Sequence, residues 1–169
     1  EAIVKNCVGT TTVLQCAREA GVKKVMYSST SSGYGMNSYP NVETQPDDCL
    51  NPYSASKVAA EKFCKMYTDL YGLKTVVFRY FNVYGERSPV FGQYAPVIGI
   101  FLKQKNEGQP LTIVGDGSQS RDFIHVKDVA AANILAATAD IPEEYYGQVF
   151  NIGSSGSISI QEIANLISD

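Results

Sequence analysis

The sequence has few of the residues on which metal sites, membrane spans and nucleic-acid surfaces depend. It contains one histidine, His125, and four cysteines that form no Cys-x-x-Cys pair. A zinc site, which needs three or four such ligands, is therefore not expected. No apolar run approaches the roughly 20 residues of a membrane-spanning helix. With a net charge of −3 and no cluster of Lys and Arg, the chain is not expected to bind nucleic acid.

The rest of the composition is that of an ordinary globular protein. Hydrophobic residues make up 44% and charged residues 18% of the 169 residues, which suits one domain or part of a larger one. We interpret the thiols as reduced and the protein as cytoplasmic. The chain begins at Glu1 inside a helical pattern and ends at Asp169 inside an apolar-periodic stretch. We therefore expect that both ends are cut from a longer chain.

Hydrophobic periodicity predicts alternating helices and short strands. The predicted helices cover 1–20, 54–71, 94–107, 127–138 and 159–168, and the predicted strands cover 23–29, 74–81, 111–114 and 148–152. The helix at 54–71 carries an apolar stripe of Ala55, Ala59, Phe63, Met66 and Leu70. A strand–helix–strand order favours a parallel sheet with helices on its faces. Ligands of such sheets bind at the carboxyl ends of strands, which here precede loops 28–35, 82–93 and 115–122.

The stretch "NPYSASK" places Tyr53 and Lys57 four residues apart at the start of a predicted helix. Residues with this spacing share one helix face, and an ammonium group near a phenol favours the phenolate. Tyr53 is thus a candidate general base. The pair alone is weak, because the same spacing also fits a packed tyrosine beside a solvated lysine. A hydroxyl that could share the substrate proton is available in "YSSTSSGYG", residues 27–35.

Four further stretches occur in order around this motif: "NCVGTTTVL", "VMYSSTSSGYG", "VVFRYFNVYGER" and "GDGSQSRDFIHVKDVAAAN". Together the five make the chain resemble the extended short-chain dehydrogenase/reductases over essentially its whole length. The likeness is strongest to their NAD-dependent nucleotide-sugar epimerase/dehydratase branch, and within it to the UDP-glucose and UDP-N-acetylglucosamine 4-epimerases. The resemblance implies an α/β fold with a Rossmann-like parallel sheet, NAD as cofactor and a nucleotide-diphosphate sugar as substrate.

The resemblance also implies roles for individual residues. Catalytic roles fall on Thr30, Tyr53 and Lys57. Cofactor contacts fall on Asn6, Ser28, Ser29, Tyr53, Lys57, Tyr80, Phe81 and Val83. Substrate contacts fall on Thr30, Ser31, Ser32, Asn82, Val97, Thr112, Ile113 and Arg121. The guanidinium fork of Arg121 suits phosphate oxygens, although it could instead pair with Asp116. Asn6 could serve as a cap or bridge, and His125 is expected to pack or to hydrogen-bond backbone.

The residues after Thr30 distinguish activities within the family. Dehydratases of the family place Asp-Glu there, whereas this chain has Ser31 and Ser32 and so lacks the acid for elimination. The resemblance therefore implies epimerisation at C4: Tyr53 takes the 4-hydroxyl proton, a hydride passes to NAD, and the hydride returns to the opposite face of the 4-keto sugar. Other outcomes stay open, among them a uronate epimerase, a 4-keto reductase or a dehydratase. The choice of sugar, of nucleotide and of NAD over NADP also stays open.

The family's Gly-rich first turn, which cradles the cofactor pyrophosphate, has no counterpart here, because no G-x-x-G-x-x-G occurs. We therefore expect the first strands of the Rossmann fold to be missing, with 1–82 forming the C-terminal half of the dinucleotide-binding domain. Residues 83–169 are expected to combine part of a small substrate-binding subdomain with a return strand and helix. A non-catalytic fragment is the alternative. Family members commonly dimerise, and the corresponding helices here are 1–20 and 54–71.

Overall fold

The structure is a computed structural model of the chain, and it describes residues 1–92 and 95–168. Five α-helices are found among these residues: α1 (Gly9–Glu19), α2 (Pro52–Tyr71), α3 (Val97–Asn106), α4 (Val126–Thr138) and α5 (Ile160–Ser168). Seven strands are found there: β1 (Lys24–Thr30), β2 (Lys74–Tyr80), β3 (Asn82–Tyr84), β4 (Ser120–Arg121), β5 (Phe123–His125), β6 (Val149–Ile152) and β7 (Ile158–Ser159). A π-helical segment, Val4–Val8, leads into α1.

The predicted parallel sheet is confirmed. Strands lie in the order β1-β2-β6, and both neighbouring pairs are parallel. Lys24 pairs with Lys74, and the register continues to Thr30 opposite Tyr80. Because the strands are parallel, Thr30 and Tyr80 end at the same edge of the sheet, which is where α/β proteins bind ligands. Strand β3 pairs in parallel with β5, and β4 pairs antiparallel with β7.

Contacts divide the chain into two compact units. Unit 1 is Glu1–Tyr80 with Ala131–Ile152, and unit 2 is Phe81–Ala130 with Gly153–Asp169. The expected functional division, cofactor binding over 1–82 and substrate binding over 83–169, stays a prediction, because packing does not report which ligand each part holds. Among the helices of the described residues, none is long and apolar enough to cross a membrane.

Unit 1 packs apolar side chains on both faces of its three-stranded sheet, since successive strand residues point to opposite faces. One cluster consists of Leu14, Ala17, Cys64, Tyr67, Leu73 and Val77, which come from α1, α2 and β2 with its preceding residue. The other consists of Val76, Phe78, Ala136 and Tyr146. Helices α1 and α2 end within one residue of their predicted bounds at 20 and 71, and each is followed by a glycine, Gly21 and Gly72, with left-handed φ values of 67° and 68° that stop a helix.

Unit 2 has its own core between α3 and α5. Phe101, Ile160, Ile163 and Ala164 are buried there. Partly buried apolar side chains surround them: Val97, Ile98, Leu111, Ile113, Phe123, Ile158 and Ile167. The unit therefore buries apolar surface without drawing on the parallel sheet of unit 1.

The strand predicted over 111–114 is wrong. The side chain of Gln104 in α3 accepts the Thr112 amide at 3.1 Å and donates to its hydroxyl at 2.8 Å. The backbone there therefore bonds a helix side chain instead of a neighbouring strand. Loop 115–122 consequently does not follow a strand, and its last residues, Ser120–Arg121, themselves form β4.

Two other expectations need correction. The apolar stripe predicted on α2 is mostly not its buried face: Ala55, Met66 and Leu70 are exposed, while Phe63 packs partly against the core. The buried positions of α2 are Ser54, Ser56, Val58, Ala60, Glu61, Cys64 and Tyr67. The helix predicted over 94–107 is α3, which the structure begins at Val97. Its predicted start at Tyr94, and the end of the predicted loop at Gln93, lie outside the described residues.

Candidate active site

The first turn of α2 is fixed by a capping box, which places Tyr53 one residue inside the helix. The side chain of Asn51 accepts the Ser54 amide at 2.9 Å, and Pro52 occupies the first helical position. Tyr53 is 47% exposed. No described residue forms a hydrogen bond with its phenol oxygen, so this oxygen is accessible to a ligand.

Lys57 lies one helical turn after Tyr53 and ties α2 to the end of β1. Its Nζ donates to the Ser28 carbonyl at 2.8 Å and lies 4.9 Å from the centre of the Tyr27 ring. Burial lowers the pKa of Lys57, and the negative charge of Glu61 opposes that decrease. Lys57 is half-buried with its ammonium held at a strand end, which differs from the solvated alternative, and its catalytic role stays a prediction.

Thr30 is the last residue of β1 and caps the short 3-10 turn Ser31–Tyr34. Its Oγ1 accepts the Ser32 amide at 3.1 Å and donates to the Ser32 hydroxyl at the same distance. The hydroxyl of Thr30 is therefore oriented by its own turn. Ser31 is half-buried and Ser32 is exposed.

The other candidate cofactor residues of unit 1 have internal partners. Asn6 donates to the Ser56 hydroxyl at 2.9 Å and so bridges the first helix to α2, the bridging role that the sequence left open. Ser28 donates to the phenol of Tyr80 at 3.3 Å. The buried hydroxyl of Ser29 donates to Glu61. A cofactor contact by Ser29 would therefore use its backbone.

The candidate residues of unit 2 fall into two groups. Asn82 and Arg121 are exposed; Asn82 donates to the Asp122 carbonyl at 2.8 Å, and Arg121 donates to the Ser120 carbonyl at 2.7 Å. Thr112 is exposed, while Val97 and Ile113 pack into the core of this unit. Phe81 and Val83 are half-buried.

Two alternatives from the sequence can now be compared with the structure. Asp116 accepts from the amide and the hydroxyl of Ser118 at 3.0 and 2.7 Å, while Arg121 bonds backbone. His125 accepts the backbone amide of Lys127 at 3.2 Å and packs edge-on against Tyr84. The expectation of a structural histidine is confirmed. Within residues 1–92 and 95–168, no group of three His, Cys, Asp or Glu side chains could hold a metal ion.

Sequence reasoning missed a buried charged network built on Glu61 and Arg79. Glu61 lies on α2, one helical turn after Lys57, and Arg79 lies on β2. The side chains of Glu61 and Arg79 are 2% and 3% exposed. Arg79 donates to both carboxylate oxygens of Glu61, at 3.0 and 2.6 Å, and to Asp47 at 2.6 Å. The feature that could have predicted this network is the arginine inside the apolar strand "KTVVFRYF". A charged side chain at a buried strand position requires a buried partner.

These features have counterparts among known proteins. Residues 1–153 match the family described as "NAD dependent epimerase/dehydratase family". The chain belongs to this family. Its expected α/β fold with a partial Rossmann-like sheet is confirmed by similarity to a solved structure of a UDP-N-acetylglucosamine 4-epimerase from Methanobrevibacter ruminantium, in complex with UDP-N-acetylmuramic acid. The TM-score is 0.92 at 37% identity, covering 98% of this chain and 52% of that one.

Curated relatives within the family have different activities. A UDP-glucose 4-epimerase of Mycolicibacterium smegmatis is 38% identical over 164 residues, which are 96% of this chain and 51% of that protein. A UDP-N-acetyl-alpha-D-glucosaminuronate decarboxylase of Bacillus cytotoxicus is 39% identical over 172 aligned residues, covering 97% and 51% respectively. The chain spans about half the length of the curated relatives it matches. These relatives differ in the reaction they catalyse, so family membership does not select one reaction for this chain.

The residues at the strand ends of unit 1 fit the reactive part of NAD. The accessible phenol of Tyr53, the ammonium of Lys57 and the hydroxyl of Ser28 are polar groups on α2 and β1. Such groups can hydrogen-bond a ribose and an amide. A Gly-rich turn that would cradle the pyrophosphate does not occur in the sequence. The groups present are of the kind that the nicotinamide end of NAD requires, and their assignment to the cofactor stays a prediction.

Proposed function

We propose that the chain supplies the catalytic residues of an NAD-dependent enzyme that epimerises C4 of a nucleotide-diphosphate sugar, such as UDP-glucose or a UDP-N-acetylhexosamine. The observation that carries the proposal is the contact between Lys57 Nζ and the Ser28 carbonyl. This contact holds the ammonium beside β1, two residues before Thr30, while Tyr53 lies one turn earlier on α2. The ammonium is thereby fixed at the strand end that carries the Thr30 hydroxyl, and we assign the role of base to Tyr53 on the same helix.

Each of these residues has a part in moving the substrate proton. Tyr53 acts as the general base that accepts the proton of the sugar 4-hydroxyl, and Lys57 contributes a cation one helical turn away, which its bond to the Ser28 carbonyl holds at the end of β1. The Thr30 hydroxyl, oriented by its bonds to Ser32, binds the same sugar oxygen. NAD, when bound, supplies hydride acceptance and return at C4. Tyr53 then gives the proton back to the inverted hydroxyl.

The serines after Thr30 favour epimerisation over elimination. Elimination needs a proton donor beside C5 and C6, and the turn offers Ser31 and Ser32 instead of carboxylic acids. Decarboxylation is a second candidate reaction, because the decarboxylase relative is as similar in sequence to this chain as the epimerase relative is. A uronate epimerase, a 4-keto reductase and a non-catalytic fragment are further alternatives that the products distinguish.

The diphosphate of the substrate is assigned to unit 2. Arg121 is exposed, and within the part of the chain that the structure describes it donates to the carbonyl of Ser120 alone, which leaves further donors for phosphate oxygens. Asn82 is a second exposed donor on β3. We assign Thr112 to the base of the nucleotide, because it too is exposed, with Ile113 and Val97 as apolar support from the core.

A homodimer formed through α1 and α2 belongs to the same proposal. The stripe that the sequence predicted on α2 is in large part exposed, with Met66 at 38% and Leu70 at 67%. On α1, Val13 is 59% exposed. Apolar side chains left exposed on two helices that pack together within one unit are a suitable surface for a second copy.

Product analysis tests the reaction. The protein that carries this chain is incubated separately with UDP-glucose, UDP-N-acetylglucosamine and UDP-glucuronate, and the sugar nucleotides are separated by chromatography. We expect interconversion of the C4 epimers of UDP-glucose or UDP-N-acetylglucosamine with no net change in NADH absorbance, whereas turnover of UDP-glucuronate alone would assign a uronate epimerase. Release of carbon dioxide, a 4-keto-6-deoxy product or a reduced sugar would assign one of the alternatives instead.

The Tyr53→Phe variant tests the base. Loss of the phenol oxygen is expected to lower kcat by about 100- to 10,000-fold, the usual contribution of a general acid–base group. Bound NAD, measured after heat release, should be unchanged. Tyr145→Phe is the matched control, since Tyr145 has the same 47% exposure in the same unit. Wild-type turnover by Tyr53→Phe would remove Tyr53 from the mechanism.

A further inference from the structure

The proposed mechanism makes no use of the buried Glu61–Arg79 pair, although it lies next to all of the proposed catalytic elements. Glu61 accepts three hydrogen bonds: one from the Ser29 hydroxyl and two from Arg79. Both charged side chains are almost fully buried. A buried ion pair is weak evidence for stability, because apolar residues of similar volume often serve equally well. We therefore ask which parts of unit 1 the pair holds in place.

On one side, the pair anchors the end of β1 to α2. Ser29 lies between Ser28, whose carbonyl holds Lys57, and Thr30, the last residue of the strand. Glu61 is one helical turn after Lys57 on α2. The strand and the helix are thus joined by two adjacent contacts, Lys57 to Ser28 and Ser29 to Glu61. Their relative register sets where the Thr30 hydroxyl lies with respect to the helix face that carries Tyr53.

On the other side, Arg79 supports the turn that follows Thr30. Its guanidinium lies 4.6 Å from the centre of the Tyr34 ring. Gly33 packs so closely that a Cβ there would lie 2.8 Å from the side chain of Val58 and 3.7 Å from the guanidinium carbon of Arg79. The phenol of Tyr34 donates to Asn151 at 2.7 Å, which fixes the ring. A Cβ at position 33 would collide with Val58 of α2, whereas its distance to Arg79 would be an ordinary van der Waals contact, so glycine lets the turn pack closely against α2.

Asp47 completes the support from the loop before α2. It accepts from Arg79 at 2.6 Å and pairs with Lys62 of α2 at 2.9 Å. Arg79 therefore contacts α2 through Glu61, the 3-10 turn through Tyr34, and the loop through Asp47. Because the guanidinium is planar with donors in a fixed fork, these contacts fix relative orientation as well as distance.

We propose that Glu61 and Arg79 are positioning residues, which through Ser29 and the Ser31–Tyr34 turn hold the Thr30 hydroxyl in register with Tyr53 and Lys57. Their effect on catalysis rests on the proposed function. Their role in holding the end of β1 and the Ser31–Tyr34 turn in place does not. Neither residue contacts the substrate in this proposal. They act by fixing the strand end and the turn on which the reacting groups depend.

Ser29→Ala is the sharpest test, because it removes the link to β1 and leaves Glu61 its two bonds from Arg79. Hydrogen exchange, read by mass spectrometry on peptides covering 29–35, is expected to speed up in this variant. With substrate, kcat should fall on the order of 100-fold while KM changes little, since small misplacement of reacting groups costs rate more than binding. Glu61→Gln should show both effects more strongly.

Leu73→Ala is the control for a general loss of stability. Leu73 is 5% exposed in the core of unit 1 and makes no recorded contact with the turn. It should reduce stability without selective exchange in 29–35 and without changing kcat below its unfolding temperature. If Ser29→Ala and Glu61→Gln leave exchange in 29–35 no faster than Leu73→Ala does, the positioning role is overturned.

The two proposals fail in different ways. If the wild-type protein turns over none of the nucleotide sugars, the proposed function fails, and the exchange comparison still decides whether the pair holds the turn. If the wild-type protein is active and Ser29→Ala keeps wild-type kcat despite faster exchange, the turn is held by the pair but catalysis does not depend on it, which overturns the positioning role.

Discussion

Two arginines, one in each unit, are used in opposite ways. Arg79 of unit 1 has a side chain that is 3% exposed and bonds two carboxylates from distant parts of the chain. Arg121 of unit 2 is exposed and bonds the carbonyl of its own neighbour, Ser120. The same chemical group thus provides internal order in one unit and free donors in the other. An exposed arginine whose donors are mostly free is the better candidate for a ligand contact.

The comparison extends beyond the arginines. In unit 1, polar contacts near the candidate base join residues far apart in sequence, as Ser29 and Glu61 do. In unit 2, two of the exposed substrate candidates, Thr112 and Arg121, bond residues nearby in the chain, while the third, Asn82, bonds the Asp122 carbonyl 40 residues away. Reacting groups need fixed geometry, whereas groups that recognise a substrate need to be accessible. The difference matches the division of labour proposed for the two units.

The largest expected effect comes from Arg79→Met. It leaves Glu61 buried without its cation, and breaking a buried pair on one side costs about 3–5 kcal/mol. Urea unfolding followed by circular dichroism measures the loss. Arg121→Met makes the same exchange at an exposed position and should alter stability by less than about 0.5 kcal/mol. Equal losses of stability in the two variants would contradict the contrast between the two arginines.

Arg121→Met should instead weaken ligand binding. Hydrogen bonds to a charged group contribute about 1.5–3 kcal/mol, so the Kd for UDP, measured by calorimetry, should rise by about tenfold or more. Lys105→Met, which removes a cation from the exposed surface of α3, is the control and should bind UDP normally. An unchanged Kd in Arg121→Met would place the diphosphate elsewhere.

A smaller effect is expected from Leu70→Glu on self-association. A charge in an apolar helix–helix contact should weaken the proposed dimer by about 1 kcal/mol or more, measured by sedimentation across a concentration series. Leu166→Glu is matched to it, because Leu166 in α5 is 69% exposed and Leu70 is 67% exposed. If both variants or neither shift the equilibrium, α2 is not the interface.

The smallest effect concerns Asp47 and acid stability. Partial burial alone would raise its pKa, but hydrogen bonds from Lys62 and Arg79 outweigh this and hold the pKa of the carboxyl below its ordinary value. A lowered folded-state pKa stabilises above the unfolded value, and the gain is lost as pH falls below about 4. Asp47→Asn should therefore cost about 0.5–1 kcal/mol at pH 7 and less at pH 3.

The control for that measurement is Asp69→Asn, which removes an exposed carboxylate paired with Lys65 on the same helix. Its stability relative to the wild type should vary less between pH 7 and pH 3. A constant difference between Asp47→Asn and the wild type at every pH would show that the carboxylate of Asp47 contributes no charge-dependent stability.

Local patterns were enough for much of the fold. The helices predicted at 54–71 and 127–138 are α2 and α4 to within two residues. The strand at 111–114 failed because "LTIV" has strand-forming residues but its amide partner is a helix side chain, Gln104. Strand propensity describes a residue's own conformational preference. It does not indicate which group will form a hydrogen bond with that residue's backbone.

The sequence by itself determined the family, the parallel sheet and the candidate residues Thr30, Tyr53 and Lys57, because ordered motifs and periodicity are local properties of the chain. Only the tertiary structure decided which face of α2 is buried. Glu61 looks like a surface residue in the sequence, and it is buried because Ser29 and Arg79 bring donors to it across 32 and 18 residues. Burial of a charge depends on partners that the fold brings together, and no local pattern records them.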